Sequence, residues 1–162
     1  MKSRDKNFSG RDHENGACVE SALEQAEALC RDRGARLTPL RRRVLEIIWE
    51  SRAPLGAYDV LERMNAEGGR NAPPTVYRAL DFLLKHGLIH RIESQKAFVG
   101  CAMSADAHHA LFFICRDCGN VSETQSEAIG AAIEASATRA GFLVETPVME
   151  ISGRCQECHD DE

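Results

Sequence analysis

Four cysteines stand in two pairs, Cys115-x-x-Cys118 and Cys155-x-x-Cys158. A C-x-x-C turn aims two sulfurs at one point with little strain, and two such turns supply the four thiolates of a tetrahedral zinc site. The 36 residues between the pairs exceed a simple zinc ribbon, but they have room for a strand, a helix and a strand that bring the pairs together. Such a site is closed: all four positions are sulfur and none is left for water, which is the build of a structural metal. The competing chemistry is thiol redox. A redox C-x-x-C follows a strand and opens a helix, whereas Cys115 and Cys118 lie between two strand-like segments.

A looser set of donors lies around this motif: His90, Cys101, His108, His109 and Glu123. Each alone has an ordinary reading, as a surface residue of a hairpin, a buried strand end, two loop histidines and a solvated strand residue. As a set they offer mixed nitrogen, sulfur and oxygen donors suited to Zn²⁺. They come from both halves of the chain. A weaker metal there would bias how the halves are oriented, which is the requirement for a switch.

A third group is helical. Val76, Leu80, Leu83 and Leu84 recur at i, i+4, i+7 and i+8, so Tyr77, Arg78, Asp81 and Lys85 share the outward face. In a helix-turn-helix protein such a face meets base edges in the major groove. Arg78 is the candidate for bidentate base readout, and Tyr77 for a thymine methyl or a phosphate, with Thr75 at the same helix start. Lys85 and Arg91 are candidate phosphate contacts. So are Arg41, Arg42 and Arg43, which crowd a helix N-terminus where cations are disfavoured unless an anion meets them. The plain alternative is an amphipathic surface helix with solvated charges.

These side chains need a frame. The chain has 162 residues, enough for one sizeable core or two small ones. The net charge of −5 argues against nucleic acid, but its distribution does not. Residues 31–100 carry 13 Lys and Arg against 8 Asp and Glu, and residues 101–162 carry 3 against 11. A basic middle and an acidic end imply two domains with different partners. Seven cysteines without a secretion signal argue against a disulfide scaffold. No apolar run reaches the roughly 18 residues of a membrane span, and the expected location is the cytoplasm.

The spacing predicts helices over about 18–33, from Thr38-Pro39 onward, over 56–66, and from Pro73-Pro74 to His86. Thr38 serves as a cap, the prolines as helix starters, and Gly34 and Gly87 as stops. Two strands follow, Leu88–Ile92 and Ala97–Cys101, giving a winged helix-turn-helix pattern. Beyond a polar stretch, Leu111–Cys115 and Asn120–Thr124 read as strands around the first C-x-x-C. A helix spans about 126–140, capped by Ser126 and ended by Gly141, and Phe142–Ile151 reads as one long strand. The expected fold is α+β: a tail over 1–17, a winged-helix DNA-binding domain over 18–100, and a small α/β dimerisation domain with a four-cysteine zinc site over 101–162. Cys30 faces inward on the first helix and reads as a small core residue.

Leu37-Thr38-Pro39-Leu40-Arg41, then Pro74-Thr75-Val76-Tyr77-Arg78-Ala79-Leu80, then the doubled C-x-x-C resemble the ferric uptake regulator family over about residues 20–160. Within it the chain looks most like the zinc uptake regulator branch. The iron branch carries a His-rich run before the first C-x-x-C; here only His108-His109 stand there, and Cys101 ends the wing. The resemblance implies sensor ligands His90, Cys101, His108 and Glu123, with His109 able to take the place of its neighbour. A thiolate among them favours Zn²⁺ over Mn²⁺ or Fe²⁺. It also implies two Zn²⁺ per chain, one structural and one regulatory, a homodimer built by the C-terminal domains, and binding to palindromic double-stranded operator DNA when the sensor is filled. The expected outcome is repression of zinc-uptake genes, with no membrane and no small-molecule substrate as partner. The alternative within the family is a response to iron, manganese or peroxide. An enzyme is not expected: there is no open metal position and no nucleophile–base pair at motif spacing, and the H-x-E with P-C-x-x-C of a deaminase is missing.

Overall fold

The computed structural model describes residues 17–51, 53–101, 110–145 and 147–160. The expected N-terminal tail, up to residue 16, and the His108-His109 pair lie outside them. The described residues from 17 to 101 form one compact unit, and those from 110 to 160 a second.

The first unit runs α1 (Ala17–Asp32), α2 (Pro39–Glu50), α3 (Ala57–Ala66), α4 (Pro73–Lys85), β1 (Ile89–Ile92) and β2 (Ala97–Gly100). Local chemistry sets the boundaries. Thr38 caps α2, its side-chain oxygen accepting from the Arg41 N–H at 3.4 Å, with Pro39 in the first turn. Gly56 opens α3, and its N–H donates to the Asp59 carboxylate at 2.9 Å. The helices then bury one stripe each: Val19, Leu23, Ala26 and Cys30 from α1; Val44, Leu45, Ile47 and Ile48 from α2; Val60 and Met64 from α3; Val76, Ala79, Leu80 and Leu83 from α4. Each fully buried Leu, Ile or Val contributes roughly 1.5–3 kcal/mol against exposure. Cys30 is part of this core, as its place on α1 predicts, and burial pushes its thiol above the ordinary range.

The wing is a hairpin in which His90 pairs with Val99 and Ile89 with Gly100. Leu55 adds a bridge to it, its N–H and C=O exchanging bonds with Phe98 at 3.0 and 2.8 Å. The hairpin is bolted to the helices through Trp49, whose indole lies against Gly100. A Cβ on Gly100 would fall 2.6 Å from Trp49 Cε2, so no side chain fits there.

The second unit is a three-stranded sheet in the order β4-β3-β5, from β3 (Ala110–Cys115), β4 (Val121–Thr124) and β5 (Val148–Gly153). Helix α5 (Glu127–Ala140) joins β4 to β5 and starts as predicted, with Ser126 accepting from the Ile129 N–H at 3.4 Å. It ends at Gly141, whose φ of 68° is a left-handed conformation that a side chain would strain. Ile129 and Ile133 of α5 line a small hollow with Leu111 and Met149 of the sheet. The predicted strand over 142–151 is corrected: the strand starts at Val148 and runs to Gly153. Two features account for this. The Phe142 N–H is used to finish α5, bonding to the Ala137 carbonyl at 2.9 Å, and among the described residues the pairing with β3 opens at Val148, opposite Ala110. A short final helix, α6 (Gln156–Asp160), was not foreseen in the sequence.

Candidate metal centre and nucleic-acid interface

Strands β3 and β5 run parallel, with Cys115 opposite Gly153. Parallel pairing is what unites the two cysteine pairs, since both strands leave the sheet at the same end and each then turns through a C-x-x-C. The first turn is closed by its own backbone: the Cys115 N–H donates to the Asn120 carbonyl at 2.9 Å, and the Gly119 N–H to the Cys115 carbonyl at 2.9 Å. Gly119 takes a φ of 74° there. The Arg116 N–H reaches across to the Gly153 carbonyl at 2.9 Å, and Arg154 pairs with Asp117 at 2.6 Å.

The sulfurs of Cys115, Cys118, Cys155 and Cys158 all lie within 4.8 Å of one another, and those of Cys118 and Cys155 are 3.8 Å apart. A tetrahedron with Zn–S bonds of about 2.3 Å has edges of about 3.8 Å, so the four thiols fit the ion in number, chemistry and spacing. Cys115 and Cys155 are buried, Cys158 half-buried and Cys118 exposed. The backbone N–H groups of Cys118 and Cys155 point at the Cys115 sulfur, the latter at 3.3 Å, and lower its pKa to about 6. Cys158 is shifted the other way, first by its hydrogen bond to Cys155 and then by desolvation. Near pH 7 Cys115 is therefore already a thiolate, while Cys158 holds a proton that an ion must expel. The sign follows directly: affinity rises with pH in this range. Between about pH 7 and 8 it is expected to climb at least tenfold, the change for one displaced proton per ion. Competition against a chelator of known pH dependence measures this, and a flat profile would refute the protonation pattern.

The looser donor set divides. Leu88, His90, Val99 and Cys101 project from one face of the hairpin, with Cys101 held by a backbone bond from its N–H to the Leu88 carbonyl at 3.0 Å. His90 and Cys101 are thus diagonal neighbours, and His90 Nε2 lies 3.0 Å from Cys101 Sγ. Cys101 is buried and His90 half-buried. Glu123 is half-buried on β4, in the second unit, opposite Phe112. His108 and His109 lie outside the described residues.

On α4 the inward and outward faces separate as the periodicity predicts. Val76, Ala79, Leu80 and Leu83 are buried; Tyr77 and Arg78 are exposed, as is Asp81. Lys85 is exposed at the helix end, and Thr75 is half-buried in its first turn. Arg78 and Lys85 enter none of the ion pairs seen among the described residues. Arg91 is exposed on β1 and pairs with Glu93 at 3.3 Å. Arg41, Arg42 and Arg43 have internal partners. Arg41 donates to the Arg36 carbonyl at 2.7 Å and stacks 3.7 Å from the centre of the Phe82 ring. Arg42 bridges Glu20 and Glu27 of α1, at 3.0 Å each. Arg43 joins Glu67, which follows α3, to Glu46 and Glu50 of its own helix, and holds the Glu67 carboxyl below its usual range. Arg42 and Arg43 thus find carboxylates within the protein, while Arg41 is held by a carbonyl and a ring face. Tyr58, at the start of α3, is 69% exposed; its helical spacing gave no reason to single it out.

A winged helix, followed by a small α/β unit closed by four cysteines, is the build of a metal-holding DNA reader. The chain belongs to the ferric uptake regulator family, whose profile matches residues 32–152. It is 37% identical over 141 residues to the zinc uptake regulation protein of Escherichia coli (strain K12), covering 86% of this chain and 82% of that one. Its fold matches a zinc uptake regulator complexed with zinc and DNA at a TM-score of 0.84 and 36% identity, over 88% of this chain and 96% of the other. The holo form of the regulator XcZur matches at 0.80 and 37%, over 86% and 98%.

Proposed function

We propose that this protein is a zinc-responsive repressor that binds palindromic operator DNA as a homodimer and controls zinc-uptake genes from the cytoplasm. The observation that carries the reading is the His90–Cys101 pair on the wing. A thiolate beside an imidazole suits zinc, while iron and manganese prefer nitrogen and oxygen donors. Glu123 and His108 complete this sensor, and His109 is the neighbour that can replace His108. The four-cysteine site holds a second, permanent zinc, which makes two ions per chain. Zinc supplies a doubly positive centre that holds its ligands together; everything else is the work of the residues. His90 and Cys101 are rigidly placed by the hairpin register, so a ligand drawn to them is drawn to the wing.

Dimerisation is supported by β5. Among the described residues it pairs with β3 alone, on one side, and Phe142, Leu143, Val148 and Ile151 are exposed at 68, 80, 43 and 39%. An unpaired strand edge flanked by apolar side chains is a surface for a second copy, and a two-fold dimer matches a palindrome.

On the DNA side, Arg78 reads a base, Thr75 and Tyr77 contact the same stretch, and Lys85 and Arg91 meet phosphates. Arg41, Arg42 and Arg43 add phosphate contacts from the start of α2, and their internal partners brace that helix against its neighbours. Arg78→Ala is expected to weaken specific binding by about 1–3 kcal/mol and to relax preference at one base position, as read by titration against single-base operator variants. A uniform loss across all variants would make Arg78 a backbone contact instead. The metal is tested by DNA binding with Zn²⁺, Fe²⁺ and Mn²⁺ in parallel. Zinc is expected to act at the lowest free concentration; a response to iron or manganese at lower levels would reassign the signal.

A further inference from the structure

Helix α4 starts without a capping side chain. Its N-cap residue, Ala72, makes no side-chain bond, and Pro73 and Pro74 have no N–H to offer. Something else must fix where the helix begins. Asn65, at the end of α3, reaches across the turn to do so. Its Oδ1 accepts the Asn71 N–H at 2.7 Å, its Nδ2 donates to the Asn71 carbonyl at 3.2 Å, and Oδ1 also accepts from the Asn71 side-chain amide at 3.3 Å. One amide thus satisfies both backbone groups of Asn71, a match that asparagine makes with its paired donor and acceptor. Gly69 keeps the space clear, because a Cβ there would fall 2.6 Å from Asn71 Nδ2 and 2.9 Å from the Met64 carbonyl.

We propose that Asn65 is a positioning residue for DNA reading: its amide clamps Asn71 and thereby sets the start, and so the tilt, of the reading helix α4. The inference rests on the DNA-binding function proposed above. Thr75, Tyr77 and Arg78 lie four to seven residues beyond Asn71, so a small change at the clamp moves them all. Bidentate contact with a base edge tolerates little displacement, whereas phosphate contacts carry no sequence information and tolerate more. Loss of the clamp should therefore reduce specificity before it reduces general affinity.

The test uses the full-length, zinc-loaded protein and two probes. One is the duplex that wild-type protein selects from a random-sequence pool; the other is a scrambled duplex of the same composition. Asn65→Ala is expected to bind the selected duplex about tenfold more weakly, the scale of one or two hydrogen bonds' net worth, with binding to the scrambled duplex and zinc content unchanged. Alanine is a good helix former, so folding should persist, and circular dichroism at the assay temperature verifies it. Asn65→Asp, which keeps the acceptor and loses the donor, is expected to fall between. Gly69→Ala should act in the same direction by displacing the Asn71 amide. Equal binding of the selected duplex by wild type and Asn65→Ala, or parallel loss on both duplexes, would overturn the inference alone. Wild-type protein that selects no duplex in zinc would overturn the DNA-reading function and this inference with it.

Discussion

Cys115→Ser is expected to abolish the four-cysteine site and with it the folded state of the second unit. Three observations give this residue the largest effect. It is fully buried at the end of the central strand, its sulfur is one of the four that lie within 4.8 Å of one another, and backbone N–H groups, those of Cys118 and Cys155 first, converge on that sulfur and favour its thiolate. Apart from the cysteines, the buried residues described in this unit are Ala110, Leu111, Phe112 and Ile114 of β3, with Gly130 alone of the α5 residues. One strand's worth of apolar burial is left to hold it. In small zinc modules the ion contributes roughly 10 kcal/mol or more of folding free energy, which exceeds the whole stability of most domains of this size. The variant should lose one zinc per chain, lose the dimer, and become open to proteolysis beyond residue 110. The winged helix has its own core and should remain protected. A Cys115→Ser protein that kept full zinc content and a wild-type melting curve would refute the structural role.

Cys101→Ser is expected to do the opposite, leaving the fold intact and raising the free zinc needed for DNA binding by about a hundredfold, the upper end of what even supporting residues of metal sites show. The fold should survive because Cys101 is tied to Leu88 through its backbone, which serine retains, and its side chain is not part of the helical core. The metal should suffer because a hydroxyl is a far poorer zinc donor than a thiolate. One ion per chain should stay in place at low free zinc. Zinc-dependent DNA binding indistinguishable from wild type would remove Cys101 from the sensor.

The sequence carried much of this in its punctuation. Thr38-Pro39, Pro73-Pro74, Ser126 and Gly141 mark helix boundaries by chemistry that acts within three or four residues, and those boundaries hold to within a residue or two. The cysteine pairs were legible for the same reason, since C-x-x-C is a local device. What depends on distant partners was not legible. β5 starts at Val148, whose partner in the sheet, Ala110, lies 38 residues earlier. The internal partners of two α2 arginines cannot be read from spacing, since Glu20 and Glu27 for Arg42 and Glu67 for Arg43 lie up to 24 residues away. The closeness of His90 to Cys101 requires the hairpin register, which spacing alone leaves open by a residue. Asn65, inside the helix expected over 56–66, gives no sign in the sequence of its bonds to Asn71, six residues on.

The two zinc roles proposed above, one permanent and one that decides DNA binding, can be separated in a single titration. Wild-type protein is mixed with its selected duplex in buffers that step free zinc from scarce to abundant, and bound zinc is counted at every step. One zinc per chain is expected throughout, with a second entering as DNA binding appears. A protein that gripped the duplex equally well with one zinc per chain as with two would contradict it.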